Sequence, residues 1–242
     1  MHLLATALGL SLLGSCGGMV VASSLLLFTH SARTRLVPWL VSYAVGALLG
    51  VALLALLPEA LETLTPARVF STLLGGILTF FILEKLVLLR HCHTDECHVH
   101  SSTAPLVIVG DAFHNFMDGA IICAAVLTSA TLGINTAIAV AAHEIPQEVG
   151  DVAILLRAGY SRMRAFTLNL LAGAGGILGA AAMVVASKLL PQVLPYVLAF
   201  AAGNFLYVAM ADLIPDLHRG GDVGSVRQFL LISAGIVTIA LL

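Results

Sequence analysis

The chain has 242 residues, 60% of them hydrophobic and only 10% charged, with a formal net charge of −2 and a mean hydropathy of +1.04. Soluble domains carry about 25% charged residues, so the composition excludes a water-soluble globular domain and gives no basic surface for nucleic acid. It points to a chain whose solvent is the lipid bilayer.

A membrane-crossing helix needs roughly 20 mainly apolar residues. In chain order, eight segments read as such helices, at about 3–28, 36–57, 69–90, 105–129, 133–157, 164–190, 193–215 and 226–242. The first lacks a basic flank and stays apolar past residue 25, so it reads as a span that is retained rather than a cleaved signal peptide. The last is at the short limit for crossing. Connections are short except for a polar stretch at 91–103. The expected fold is therefore an all-α membrane protein, with 1–242 forming one transmembrane domain that carries a cytoplasmic loop at 91–103.

Basic residues give the orientation. Loops after odd-numbered spans hold Arg33, Arg35, Lys85, Arg90, Arg157, Arg162, Arg164, Arg219 and Arg227, whereas loops after even-numbered spans hold Arg68 and Lys188. This places the odd loops in the cytoplasm and both ends outside. Cys16 and Cys123 lie in apolar runs and Cys92 and Cys97 in the polar loop, so no disulfide framework is expected.

The halves echo each other. Leu13-Gly14-Ser15-Cys16-Gly17-Gly18 resembles Leu171-Ala172-Gly173-Ala174-Gly175-Gly176, and the stretch from Gly46 to Leu57-Pro58-Glu59 resembles that from Gly203 to Ile214-Pro215-Asp216. Spans one and two thus match six and seven, which must run the opposite way. An inverted repeat, spans 1–3 and 6–8 around a central pair 4–5, is the pattern of secondary transporters, with the site at the repeat interface.

The central pair carries the chemistry. Span four holds Asp111, His114, Asn115 and Asp118; span five holds His143, Glu144, Gln147, Glu148 and Asp151. Ionisable side chains inside a span are expensive and normally face a partner or a water-filled path. One buried His is more often structural than a ligand, but two His, five carboxylates, an Asn and a Gln on adjacent spans exceed what helix pairing needs. His114 and Asp118 stand at i and i+4, as do His143 and Gln147, so each helix presents an imidazole and an oxygen donor on one face. Imidazole with carboxylate suits zinc, iron or manganese better than magnesium or calcium. Pro146 has no N–H and frees the Ala142 carbonyl beside His143, a bend typical of mid-membrane ion sites. The core ligands are His114, Asp118 and His143, with Gln147 a softer fourth. Glu144 and Glu148 bind a second ion or relay protons, and Asp111 and Asp151 serve structure. His143-Glu144-Ile145-Pro146-Gln147 also approaches the H-E-x-x-H of a zinc metalloprotease, so an intramembrane protease is the competing reading, although Gln147 replaces the second His.

These residues resemble the ZIP (Zrt/Irt-like) divalent-metal transporter family. Its fourth-span pattern HNFxDG is matched from His114 to Gly119, and HEXPHEXGD, from one branch, from His143 to Asp151 with Gln147 in place of the second His. Glu84-Lys85, Leu57-Pro58-Glu59-Ala60 and Phe205-Leu206-Tyr207-Val208-Ala209 are similar too. The resemblance implies eight spans with outside termini, no enzymatic activity, no prosthetic group, and import of zinc, or of iron, manganese or cadmium, into the cytoplasm by an elevator-like or rocking movement. It implies a primary site at His114, Asp118, His143 and Gln147. A secondary site would use Asn115, Glu144 and a sixth-span carboxylate. The sixth span offers Asn169 but no acid, with Gly176 near the expected place, so one transported ion is expected. Val51 and Ala55 replace polar residues usual in span two, and Asp212 and Asp216 are candidates for lining the path. The partners are the metal ion and the lipid bilayer, a homodimer is compatible with the pattern, and the expected location is the plasma membrane. In the loop, four His and two Cys from His91 to His100 suit transient zinc collection. His30 and His218 are expected at the surface, and Glu59 and Glu62 outside, where they would concentrate cations.

Overall fold

The computed structural model describes residues 2–25, 30–89, 104–219 and 225–242, all but isolated turn residues in helices. The His/Cys loop expectations at 91–103, including Cys92 and Cys97, and the side chains of Cys16 and His30 lie outside the described residues. Among those described, the helices form a series of rods: α1 (His2–Leu25), α2 (30–63), α3 (Pro66–Leu89), α4 (Ala104–Thr128), α5 (Ala130–Arg157), α6 (Arg162–Leu189), α7 (193–219) and α8 (Ser225–Leu241). Four stretches within them are long and apolar enough to cross a membrane: Arg35–Thr63, Pro66–Leu83, Arg162–Leu189 and Val193–His218. The polar residues of α5 lower its hydropathy, which suits a helix shielded from lipid by its neighbours.

Two turns orient the centre. Between α4 and α5, Ser129 caps α5 by accepting from the Leu132 N–H at 3.1 Å. After α5, Gly159 takes φ +87°, and the Tyr160 and Gly159 N–H groups reach back to the Leu155 and Leu156 carbonyls at 3.1 Å. This closes the helix in a Schellman motif, and Ser161 at once caps α6 through the Arg164 N–H at 3.2 Å. The short connections force α4, α5 and α6 to run antiparallel in succession. Pro146 is buried within α5, and the helix runs through it without interruption.

Sequence periodicity does not foresee the irregularities in α2, α6 and α7. In α2 the turns at Val51–Leu56 widen to π-helix, and the Leu57 N–H donates to the Ala52 carbonyl. In α7 the same happens at Val208–Leu213, with the Ile214 N–H donating to Ala209. Each bulge immediately precedes a proline pair, Leu57-Pro58 or Ile214-Pro215. Proline has no N–H for the preceding turn and its ring crowds the carbonyl four residues back; a wider turn relieves both. The helix α6 breaks at Ala174 into Arg162–Gly173 and Gly175–Leu189.

The most extensive pairings are α2 with α8, α3 with α7, α1 with α5, and α4 with the second piece of α6. Backbone approaches backbone at each of three crossings. A Cβ at Gly46 would overlap the Ile232 carbonyl and one at Gly235 the Tyr43 carbonyl, joining α2 to α8. Gly203 lies likewise against Leu73 and Gly76 against Phe200, joining α7 to α3. Gly119 abuts Gly176, and Gly179 abuts Phe116, joining α4 to α6. Lipid supplies no hydrophobic drive between helices, so close packing of small residues holds them. The fully buried Leu48, Leu56, Ile121, Ile122, Leu198 and Phe205 fill the space between these crossings.

Candidate metal site

Four side chains from α4 and α5 converge. His114 and Asp118 come from successive turns of α4, and His143 and Glu144 are adjacent on α5. One ligand atom from each lies within 4.8 Å of the other three. The two Nε2 atoms are 3.1 Å apart. His114 Nε2 is 3.5 Å from Asp118 Oδ2 and 3.4 Å from Glu144 Oε1; His143 Nε2 is 3.2 Å and 3.7 Å from the same oxygens. Zinc bonds of about 2.1 Å in a tetrahedron require ligand atoms about 3.4 Å apart. All five separations lie close to that edge.

The surroundings favour a cation. Asp118 and Glu144 are fully buried, and none of their four carboxylate oxygens has a hydrogen-bond partner among the described residues. Bare buried carboxylates are destabilising by several kcal/mol each, and a shared cation removes that penalty. His143 Nδ1 lies 3.1 Å from the Ala139 carbonyl. A carbonyl only accepts, so Nδ1 carries the proton and Nε2 presents its lone pair to the cluster, the arrangement that orients metal-binding imidazoles. Phe80 stands edge-on to His114 and Phe205 to His143, closing the imidazoles off with apolar rings.

The remaining expected residues gather one turn along. Asn115 donates to the Asp111 carboxylate at 2.9 Å and to its carbonyl at 3.2 Å. Glu148 accepts from Asn169, and Gln147 stands half-buried one turn beyond His143 on α5. Among the His, Cys, Asp and Glu side chains described, Glu144 is the one that joins His114, Asp118 and His143. Where the resemblance puts a sixth-span carboxylate, Gly176 packs its backbone against Gly119. Asp212, Asp216 and His218 are exposed, Val51 is buried, and Cys123 is a buried free thiol.

Sequence reasoning misses the role of Asn169, which reaches Glu148 from α6. Asn204, next to Phe205 in sequence, is fully buried with neither amide atom partnered among the described residues; a lone amide in the apolar run from Val193 to Tyr207 is the signal for it.

The sequence profile described as ZIP Zinc transporter matches residues 89–242. The chain is 38% identical over 218 residues to the zinc transporter ZIP13 of Pongo abelii, covering 84% of this chain and 65% of that protein. It is 32% identical to the human zinc transporter ZIP13, over 84% of this chain and 69% of that one. It is 35% identical to the mouse zinc transporter ZIP10, over 64% of this chain and 21% of that one. The chain therefore spans about two thirds or less of the length of these relatives. Together with its apolar helices, these matches make it a multi-pass integral membrane protein, and it belongs to the ZIP family of zinc transporters.

Proposed function

We propose that the chain carries zinc across the membrane into the cytoplasm, holding it at His114, Asp118, His143 and Glu144. The observation that carries this reading is the close spacing of four ligand atoms, three of them on fully buried side chains, whose carboxylates lack any other partner among the described residues. Two imidazoles select zinc, iron, manganese or cadmium over magnesium and calcium, and the naming of the relatives as zinc transporters favours zinc. Eight crossings, with the odd loops and their nine basic residues cytoplasmic, set the direction of the halves. The two π-bulges, Val51–Leu56 and Val208–Leu213, and the matching glycine crossings of α2 and α7 support an inverted repeat around α4 and α5. Such a repeat can rock about a central site. The plasma membrane is the proposed location, checked by fractionating cells that express the tagged chain.

The protease reading loses on geometry. Its general base would be Glu144, which instead stands at ligand distance from both imidazoles, and Gln147 supplies no second imidazole. The deciding experiment is uptake of Zn²⁺, Cd²⁺, Mn²⁺ and Fe²⁺ into vesicles reconstituted with the full chain, with and without a pH gradient. Zinc accumulation that disappears in Asp118→Asn is expected. Equal uptake by wild type, Asp118→Asn and protein-free vesicles overturns the assignment.

A further inference from the structure

The side chains of the metal site are not held alike. His143 Nδ1 bonds the Ala139 carbonyl, and Phe80 and Phe205 stand edge-on to the two imidazoles. Glu144 is fully buried, yet neither of its carboxylate oxygens has a hydrogen-bond partner outside the cluster among the described residues. A long, rotatable side chain without a polar anchor takes its place from packing. Metal ligands need neighbours that fix them, and sites lose affinity when that support is loosened. For Glu144 the neighbour is on α1. A Cβ at Gly18 would stand 3.0 Å from Glu144 Cβ and 3.9 Å from its carbonyl carbon, so the backbone of α1 forms a wall behind this residue.

We infer that Gly18 is a positioning residue for zinc: its missing side chain lets α1 press on Glu144 and hold the carboxylate toward His114 and His143. The inference rests on the reading of His114, Asp118, His143 and Glu144 as the metal site. The helices α1 and α5 lie side by side in register, with Gly14 facing Val140 and, one turn on in both, Gly18 facing Glu144. Small residues at that spacing let membrane helices approach closely. A Cβ at Gly17 would meet nothing within 4 Å, so the need for bare backbone falls on the face toward α5. The echoed segment of α6 has Gly176 where α1 has Gly18, and Gly176 lies against Gly119, the residue after Asp118. Each carboxylate of the site thus has glycine backbone of a flanking helix beside it. A methyl group at 3.0 Å must move its neighbour by a few tenths of an ångström. Glu144 Oε1 lies 3.4 Å and 3.7 Å from the two imidazole Nε2 atoms, near the spacing that a shared zinc requires. Moving its Cβ on that scale takes the carboxylate off that spacing.

The test is the apparent KM for Zn²⁺ uptake by vesicles reconstituted with the full chain, measured with alanine at Gly14, Gly17 and Gly18 in turn. Gly18→Ala should raise KM about fivefold, the scale for residues in contact, with the maximal rate within about twofold of wild type. Gly14→Ala crowds Ile122 Cδ1 at the same 3.0 Å but reaches no ligand, and Gly17→Ala meets open space; both should keep the wild-type KM. That contrast separates positioning from the mere fit of α1, which Gly14→Ala disturbs as well. Glu144→Ala should raise KM too, and adding Gly18→Ala to it should change nothing more, since no carboxylate is left to displace. A wild-type KM in Gly18→Ala, or equal rises in Gly18→Ala and Gly14→Ala, overturns the inference and leaves the metal site standing. A further rise on adding Gly18→Ala to Glu144→Ala also overturns it, by placing the effect elsewhere. An unaltered KM in Glu144→Ala removes Glu144 from the site and overturns both readings. Should Glu144→Ala be inactive, the contrast among the glycine variants decides alone. Should Gly18→Ala fail to fold, Glu144→Asp takes its place by drawing the carboxylate back one methylene: a raised KM supports the need for exact placement, and a wild-type KM overturns the proposal.

Discussion

The crossings of α2 with α8 and α3 with α7 are built unlike the contact of α4 with α5, although all lie in one bundle. At the outer crossings glycine meets backbone: Gly46 and Gly235 on one side, Gly203 and Gly76 on the other. At the centre the helices meet through side chains, with imidazoles and carboxylates 3.1–3.7 Å apart. Small residues let helices approach where lipid gives no drive to associate. Polar side chains at the centre instead keep unpaired acceptors buried, which weakens the bundle unless an ion is bound. The first kind of contact therefore holds the scaffold, and the second gives up stability for binding.

The largest expected effect comes from the centre. His143→Ala should abolish Zn²⁺ uptake in reconstituted vesicles while leaving expression and gel-filtration behaviour as in wild type, because apart from the cluster the removed ring only bonds a carbonyl of its own helix and touches Phe205 edge-on. Transport at the wild-type rate would break the contrast. Next comes the scaffold. Gly46→Val or Gly203→Val drives a branched side chain into the Ile232 or Leu73 carbonyl and should destabilise by about 1–3 kcal/mol or more, the usual scale for overpacking. The measurement is the yield of monodisperse protein and its melting temperature in detergent. The two variants should fall by similar amounts, since the crossings are alike; a large difference would dissolve that equivalence.

Much of this division was legible in the residues. The clustering of His114, Asp118 and His143 needs only helical spacing and the expense of burying charge. The glycines Gly46 and Gly203 each meet a backbone carbonyl of a neighbouring helix, because a missing Cβ leaves its mark in composition. Other features depend on where neighbours sit. That Glu144 faces both imidazoles depends on the rotation of α5 against α4, which a single helix pattern cannot fix. The π-bulges at Val51–Leu56 and Val208–Leu213 follow from the prolines beside them, yet those prolines read equally well as simple span ends. Asn169 reaches Glu148 only because α6 packs on α4 through glycines and breaks at Ala174, and neither event shows in hydropathy.

A smaller effect is expected at Gln147. It stands half-buried one turn beyond His143, so Gln147→His adds an imidazole near the cluster. Zinc affinity should rise several-fold, read by competition with a fluorescent zinc chelator. An unchanged value would mean that the residue points away from bound metal.

The smallest effect tests the scaffold half of the comparison most cleanly, since it uses two adjacent glycines of α3. A Cβ at Gly76 would strike the Phe200 carbonyl, whereas one at Gly75 meets nothing within 4 Å. Both gain helix propensity on mutation to alanine, about 1 kcal/mol in an exposed helix, so propensity cancels between them and packing remains. Gly75→Ala should leave the melting temperature in detergent unchanged or raise it slightly. Gly76→Ala should lower it, because the backbone of α7 would have to retreat. Equal shifts of the same sign would mean that glycine acts here only through chain entropy, and close approach would no longer explain how α3 and α7 are held together.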